Sequence, residues 1–158
     1  MTGTDGTELS KSEEGYIETI HALITEHGFA RVVDIANALD IKPPSVTSML
    51  KRLDGRNFVK YTRYRGVILT AKGTTIARRL DKRHKALKDF LILLGVPEES
   101  AEADACEMEH KINPETMKKI SKFVEFVQTA PDLPPFLLHF RKFERTGTRP
   151  ENCKLVQK

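Results

Sequence analysis

The chain has 158 residues, is 39% hydrophobic and carries a formal net charge of +4, which bounds it to one medium domain or two small ones with a modest core. No apolar run reaches membrane-spanning length, MTGTDGTELS has no basic-then-apolar leader pattern, and Cys106 and Cys153 form neither a CxxC pair nor a disulfide framework. The expectation is a protein neither exported nor membrane-bound, in a reducing cytoplasm. The charge is uneven: residues 31–90 hold 15 Lys and Arg against 5 Asp and Glu, and the remainder 11 against 17. A basic middle with acidic flanks is the footprint of a polyanion-binding module joined to something else; an ordinary solvated basic surface is the competing reading.

Order is expected to begin at SKSEEGYIETIHALITEHG. Ser10 and Glu13 have capping-box spacing, Tyr16, Ile17, Ile20, Leu23 and Ile24 recur at helical period, and Gly28 is a natural stop. Val32, Ile35, Ala36 and Leu39 predict a short second helix. PPSVTSMLKRLDG predicts a third, with Pro44 in its first turn, Val46, Leu50 and Leu53 facing inward and Gly55 ending it. Two short helices around the tight turn DIKPP, the second with a polar outer face, read as a helix-turn-helix. Ser45, Thr47 and Ser48 on that face are small enough for close approach to base edges, and Lys51 and Arg52 can neutralise phosphates. FVKYT and GVILT then read as two strands joined by Arg63, Tyr64 and Arg65. A basic-tipped hairpin directly after a helix-turn-helix makes a winged helix, whose wing lies along the phosphate backbone or enters the minor groove.

Thr70 can cap a long helix, AKGTTIARRLDKRHKALKDFLILLG, whose stripe of Ile76, Leu80, Leu87, Leu91 and Leu94 is regular only if His84 belongs to it. A histidine there is either a hydrogen-bonded core residue or an inward-pointing metal ligand. Pro97 opens a further helix carrying DACEMEH, and Asn113-Pro114 ends it and starts PETMKKISKFVEFVQ. Ala101, Ala105, Met108 and Ile112 form its apolar stripe, with Cys106, Glu109 and His110 in a second stripe beside it. Thiolate, carboxylate and imidazole together suit a borderline divalent ion, and such sites are built in gaps between bundle helices. Two other readings stay open: Cys106 as a small buried hydrophobe with Glu109 and His110 on the surface, and Cys106 as a nucleophile activated by His110. For the last, no Gly-rich loop or orienting acid is evident.

YIETIHAL, ARVVDIANAL, PPSVTSMLKRL, YRGVILTAKG, RHKALKDFLILLGV and DACEMEH, in this order and spacing across residues 12–128, resemble the metal-dependent repressors of the diphtheria toxin repressor and manganese transport regulator group. The resemblance implies a mainly α protein, an N-terminal winged helix-turn-helix domain followed by an all-helical dimerisation domain. The expected division is a flexible N-terminus at 1–11, a DNA-binding domain at 12–73, a helical metal-binding and dimerisation domain at 74–129, and a tail at 130–158. That tail is too short and proline-rich for the small barrel that iron-type members add, and PFLLHFRKF in it reads as an amphipathic helix docked on the dimer. The implied partners are a double-stranded DNA operator and a second copy of the chain, with no membrane and no small-molecule substrate. The implied cofactor is Fe(II) or Mn(II), bound between the two domains. Glu18, His84, Cys106, Glu109 and His110 fall on the family's ligand positions; Pro44, Ser45, Thr47, Ser48, Lys51, Arg52, Arg63 and Arg65 are the expected DNA-facing set.

Some positions depart from the family pattern. Cys106 is a glutamate in manganese-type members and a cysteine in iron-type ones, and it tilts the donor set toward Fe(II). Gly15 stands where a first-helix ligand is usual, so Glu13, Glu14 or water would have to substitute. Lys88 stands where iron-type members have an acidic residue one turn after the histidine. The expected mechanism is linkage: metal favours the DNA-binding geometry, and DNA in turn raises metal affinity. The runner-up is a metal-independent helix-turn-helix regulator with a degraded metal site; a cysteine-dependent enzyme is the third possibility.

Overall fold

A computed structural model describes residues 9–151 of the chain. The expected flexible N-terminus therefore lies, for residues 1–8, outside the described residues, as does Cys153. In chain order the elements are α1 (Lys11–His27), α2 (Val32–Leu39), α3 (Pro43–Gly55), β1 (Val59–Thr62), β2 (Gly66–Leu69), α4 (Ala71–Leu93), α5 (Glu98–Glu109), α6 (Pro114–Gln128) and α7 (Pro135–Thr146). The architecture is mainly helical, with one small hairpin after the helix-turn-helix. The chain divides into two compact units, Met1–Lys82 and Arg83–Lys158.

In the first unit, α1 starts at a complete capping box. Ser10 Oγ accepts from the Glu13 N–H (3.3 Å), and Glu13 Oε2 accepts from the Ser10 N–H (2.8 Å). Two of the donors that every helix start leaves unpaired are thereby satisfied. Tyr16, Ile17 and Ile20 are buried from α1, Ile35 and Ala36 from α2, and Val46, Leu50 and Leu53 from α3. The helical periodicity of these residues thus translates directly into one core. The third helix ends at Gly55 as expected, and the turn out of it is made by the next two residues. Arg56 is the C-cap, its N–H bonded to the Arg52 carbonyl, and Asn57 takes the left-handed conformation at φ 60°.

The strands pair antiparallel with Val59 opposite Leu69 and Thr62 opposite Gly66, and Ala30 adds a single bridge to Val67. Gly66 is required twice over: its φ is 95°, and a Cβ there would lie 2.7 Å from the Ala30 carbonyl oxygen. Thr70 caps α4 as expected, accepting from the Gly73 N–H (3.0 Å) while donating to the Asn57 carbonyl (2.7 Å). A Cβ at Gly73 would sit 2.0 Å from the Phe58 carbonyl oxygen, so this residue lets the helix start press against the core.

In the second unit the core gathers Leu87, Ala105 and Met117, with Ala86, Leu91, Met108, Ile112 and Ile120 around them. Asn113 caps α6 through its side-chain oxygen, which accepts from the Glu115 N–H (2.9 Å). The stretch PFLLHFRKF is helical, as its pattern predicted, and ends at Gly147. Leu137 is its buried residue, while Leu138, Phe140 and Phe143 are exposed. Among the described residues no helix is long and apolar enough to cross a membrane.

Candidate metal centre and nucleic-acid interface

The outer face of α3 presents Pro44, Ser45, Ser48, Lys51 and Arg52 to solvent, with Thr47 half-buried. The hydroxyls of Thr47 and Ser48 donate back to the Pro43 and Pro44 carbonyls (3.1 Å each). A hydroxyl that donates in this way keeps its oxygen lone pairs as acceptors. Arg52 is split between two roles. Its side chain is 56% exposed, yet Nε and Nη2 reach Glu13 Oε1 at 3.0 and 2.9 Å. Arg56 Nη1 joins the same oxygen at 2.7 Å. The wing tip carries exposed Arg63, Tyr64 and Arg65. The Arg63 guanidinium stacks 5.1 Å from the Tyr64 ring centre, and Tyr64 itself is 91% exposed at a left-handed φ of 71°.

Among the described residues, Glu13 and Glu109 are the buried acidic side chains. Burial alone would raise the Glu13 pKa. The Ser10 N–H, the Arg56 and Arg52 guanidinium groups and the Ser10 hydroxyl outweigh that and hold it down at about 2. Glu13 thus ties α1 to the last turn of α3, and it is committed to that task instead of standing in for the ligand missing at Gly15. Glu18 lies half-buried in α1, within the first unit.

The other four expected ligands belong to the second unit, where the structure brings three of them together. Glu109 is 4% exposed. Its Oε2 lies 3.3 Å from His84 Nδ1, and its Oε1 lies 3.5 Å from His110 Nε2. Ala101, Ala105 and Glu109, at i, i+4 and i+8, are the buried line of α5. Cys106, one residue and about 100° off that line, is exposed. The reading of a buried Cys106 beside a surface Glu109 is therefore reversed. The side-by-side stripe is also amended: Glu109 ends the buried line, α5 stops there, and His110 is the C-cap with its N–H on the Met108 carbonyl. Arg83 donates to the Glu109 carbonyl, placing a cation at the helix C-terminus where the dipole favours one.

Burial raises the Glu109 pKa, against the opposing pull of His84, His110 and Arg83. Its buried Oε2 accepts no hydrogen bond. A buried carboxylate oxygen left without a donor is costly unless a cation completes it. Two imidazoles beside it are the donor types that divalent transition ions take. The residues present therefore fit such an ion.

Sequence reasoning missed what holds His84. Its Nε2 lies 2.8 Å from Glu102 Oε1, and Glu102 Oε2 in turn meets Lys88 Nζ at 3.0 Å, which also reaches Glu98 Oε1 at 3.0 Å. The signal was present: His84 and Lys88, and Glu98 and Glu102, are i, i+4 pairs that each lie on one helix face. What sequence lacks is the pairing of the two faces.

Comparison with known proteins places these features. Residues 8–67 match the family model described as "Iron dependent repressor, N-terminal DNA binding domain", and residues 70–136 match "Iron dependent repressor, metal binding and dimerisation domain". The HTH-type transcriptional regulator MntR of Shouchella clausii is 44% identical over 117 residues, 74% of this chain and 82% of that protein. MntR of Bacillus subtilis is 38% identical over 147 residues, 93% of this chain and 92% of that one.

The chain belongs to the iron-dependent repressor family.

Two solved structures share the family fold. The hypothetical protein SSo2273 from Sulfolobus solfataricus has a TM-score of 0.60 at 26% identity, over 80% of this chain and 99% of that one. IdeR of T. acidophilum has a TM-score of 0.65 at 24% identity, over 75% of this chain and 56% of that one. As a member of the iron-dependent repressor family the protein is a metal-dependent, DNA-binding transcriptional repressor, not an enzyme, and its partners are operator DNA and a second copy of itself. The exposed basic residues of α3 and the wing belong to its DNA-binding domain. The Glu109 cluster belongs to its metal-binding and dimerisation domain.

Proposed function

We propose that this repressor senses Mn(II) or Fe(II) in the cytoplasm and controls genes that handle that metal. His84, Glu109 and His110, with Cys106 and with Glu18 of α1, are the proposed ligands. The observation that carries the reading is Glu109: a buried carboxylate flanked by two imidazoles, with one oxygen that accepts no hydrogen bond. A bound divalent ion would supply a partner for the Glu109 oxygen that accepts no hydrogen bond. Relatives named MntR, and a fold relative described as a manganese-dependent transcriptional repressor complex with manganese, favour Mn(II); the Cys106 sulfur favours the softer Fe(II).

On DNA, Pro44, Ser45, Thr47 and Ser48 are proposed to face the bases. Lys51, Arg52, Arg63 and Arg65 are proposed to meet phosphates. The exposed aromatic face of α7 is proposed to be covered by the second copy.

The test is an anaerobic titration of the metal-free protein with Mn(II), Fe(II), Co(II) and Zn(II), following binding to a labelled operator at fixed salt. One ion should raise DNA affinity at micromolar free concentration, and Co(II) should show a thiolate charge-transfer band if Cys106 ligates. Equal DNA binding with chelator present would sink the proposal and leave a regulator that has lost its sensor.

A further inference from the structure

The His84 imidazole is held from its far side by a charged ladder that the family assignment does not explain. His84 and Lys88 lie one turn apart on α4, and Glu98 and Glu102 one turn apart on α5. His84 meets Glu102, and Lys88 meets both Glu98 and Glu102. Moving forward along one helix therefore moves backward along the other, so the contacting turns run antiparallel and their rungs stay in register. Glu102 has both oxygens engaged, Oε1 with His84 Nε2 at 2.8 Å and Oε2 with Lys88 Nζ at 3.0 Å.

Of the two His84 nitrogens, Nε2 is the one in hydrogen-bond geometry, 2.8 Å from Glu102 Oε1, and a carboxylate accepts, so this contact draws a single ring proton to Nε2. In the neutral ring the lone pair then sits on Nδ1, and Nδ1 is the nitrogen 3.3 Å from Glu109 Oε2. With that single proton on Nε2, the Nδ1 lone pair faces Glu109 Oε2, an oxygen without a hydrogen-bond partner. That is an arrangement a cation completes and a hydrogen bond does not. Lys88 supplies the force that keeps Glu102 in place: its ammonium sits between two carboxylates, and its side chain is only 25% exposed. Glu102, itself 54% exposed, would otherwise be free to swing into solvent.

We infer that Lys88 and Glu102 are positioning residues for the metal ligand His84: Lys88 anchors Glu102, and Glu102 fixes the imidazole as the Nε2–H tautomer with its Nδ1 lone pair toward Glu109. This rests on His84 being a ligand. It extends that reading to two residues that touch no metal, in the manner by which outer carboxylates orient metal-binding histidines.

The test begins with the metal-free protein. Long-range proton–nitrogen NMR should show His84 as the Nε2–H tautomer in the wild type and a mixture of tautomers in Glu102→Ala. Mn(II) and Co(II) affinity, measured by calorimetry, should fall roughly 10–100-fold in Glu102→Ala and in Lys88→Gln, with the unfolding temperature barely moved. Lys88→Arg should recover most of the loss, because it restores the cation. A wild-type His84 in the Nδ1–H tautomer would overturn the inference, as would wild-type metal affinity in both variants. His84→Ala separates this failure from that of the underlying reading. If His84→Ala loses metal while Glu102→Ala does not, only the positioning role is wrong; if His84→Ala binds metal normally, His84 is not a ligand.

Discussion

Glu109 is the residue whose chemistry is hardest to change without consequence. Replacing it by glutamine keeps the volume and removes the charge that faces His84 and His110. Metal-stimulated DNA binding should disappear in Glu109→Gln, a loss of about 5–150-fold at saturating metal, while weak salt-dependent DNA binding persists. An operator titration with and without metal checks this, and an unaltered metal response would exclude Glu109 from the site. Gly15 is the opposite kind of residue. A Cβ there meets nothing within 4 Å, and glycine inside a helix costs about 0.5–1 kcal/mol relative to alanine. Gly15→Ala should therefore stabilise the protein by about that amount in urea unfolding. A destabilised variant would mean that this position is packed more tightly than its surroundings indicate.

At the scale of elements, the join between α1 and α3 is electrostatic. Glu13 titrates near 2 in the folded protein against an ordinary value of 4.5. The shift is a depression, so the stability it contributes is complete above about pH 4.5 and is lost as pH falls toward 2. The amount is about 3 kcal/mol, undiscounted because the carboxylate is nearly fully buried. Glu13→Gln should be less stable than wild type at pH 7, and the gap should narrow steadily between pH 4.5 and 2.5. A gap independent of pH would show that packing, not charge, makes this join. Ser10→Ala removes the other half of the capping box and should cost about 1 kcal/mol. The wing is a second element with its own readout. Arg63→Ala and Arg65→Ala should each weaken operator binding and reduce the slope of log affinity against log salt by about 0.9. An unchanged slope would mean that the wing stays off the phosphates.

On the scale of the whole molecule, the repressor divides its labour between two units. The first carries the residues proposed to face DNA, and the second holds the His84–Glu109–His110 cluster. Coupling between metal and DNA is then a linkage between binding events, and it must be reciprocal. Saturating operator should raise metal affinity by the same factor by which metal raises operator affinity. Calorimetric metal titrations with and without DNA measure one side of that equality and operator titrations the other. Unequal factors would require a further binding event, such as metal-dependent dimerisation, inside the cycle.

Much of this is legible in the sequence, for a local reason. The capping box at Ser10 and Glu13, the stripe through Tyr16, Ile17 and Ile20, the inward set of Val46, Leu50 and Leu53, the Thr70 cap and the helix start at Asn113-Pro114 are decided within about one helical turn, and sequence records one turn completely. The winged helix-turn-helix followed from those elements and a basic hairpin tip, and the ordered motifs led to the family. Cys106, Glu109 and His110 were visible as a group, yet their burial was not. Adjacent helix positions differ by about 100°, so the face of α5 that turns inward depends on what it packs against. In the fold Glu109 is buried beside His84 of α4, and Cys106 is exposed. The grip of Glu13 on Arg52 and Arg56, 39 and 43 residues away, and of Glu102 on His84, 18 residues away, came only with tertiary structure. Charged side chains carry no period that names their partner, and only the fold brings those partners within reach.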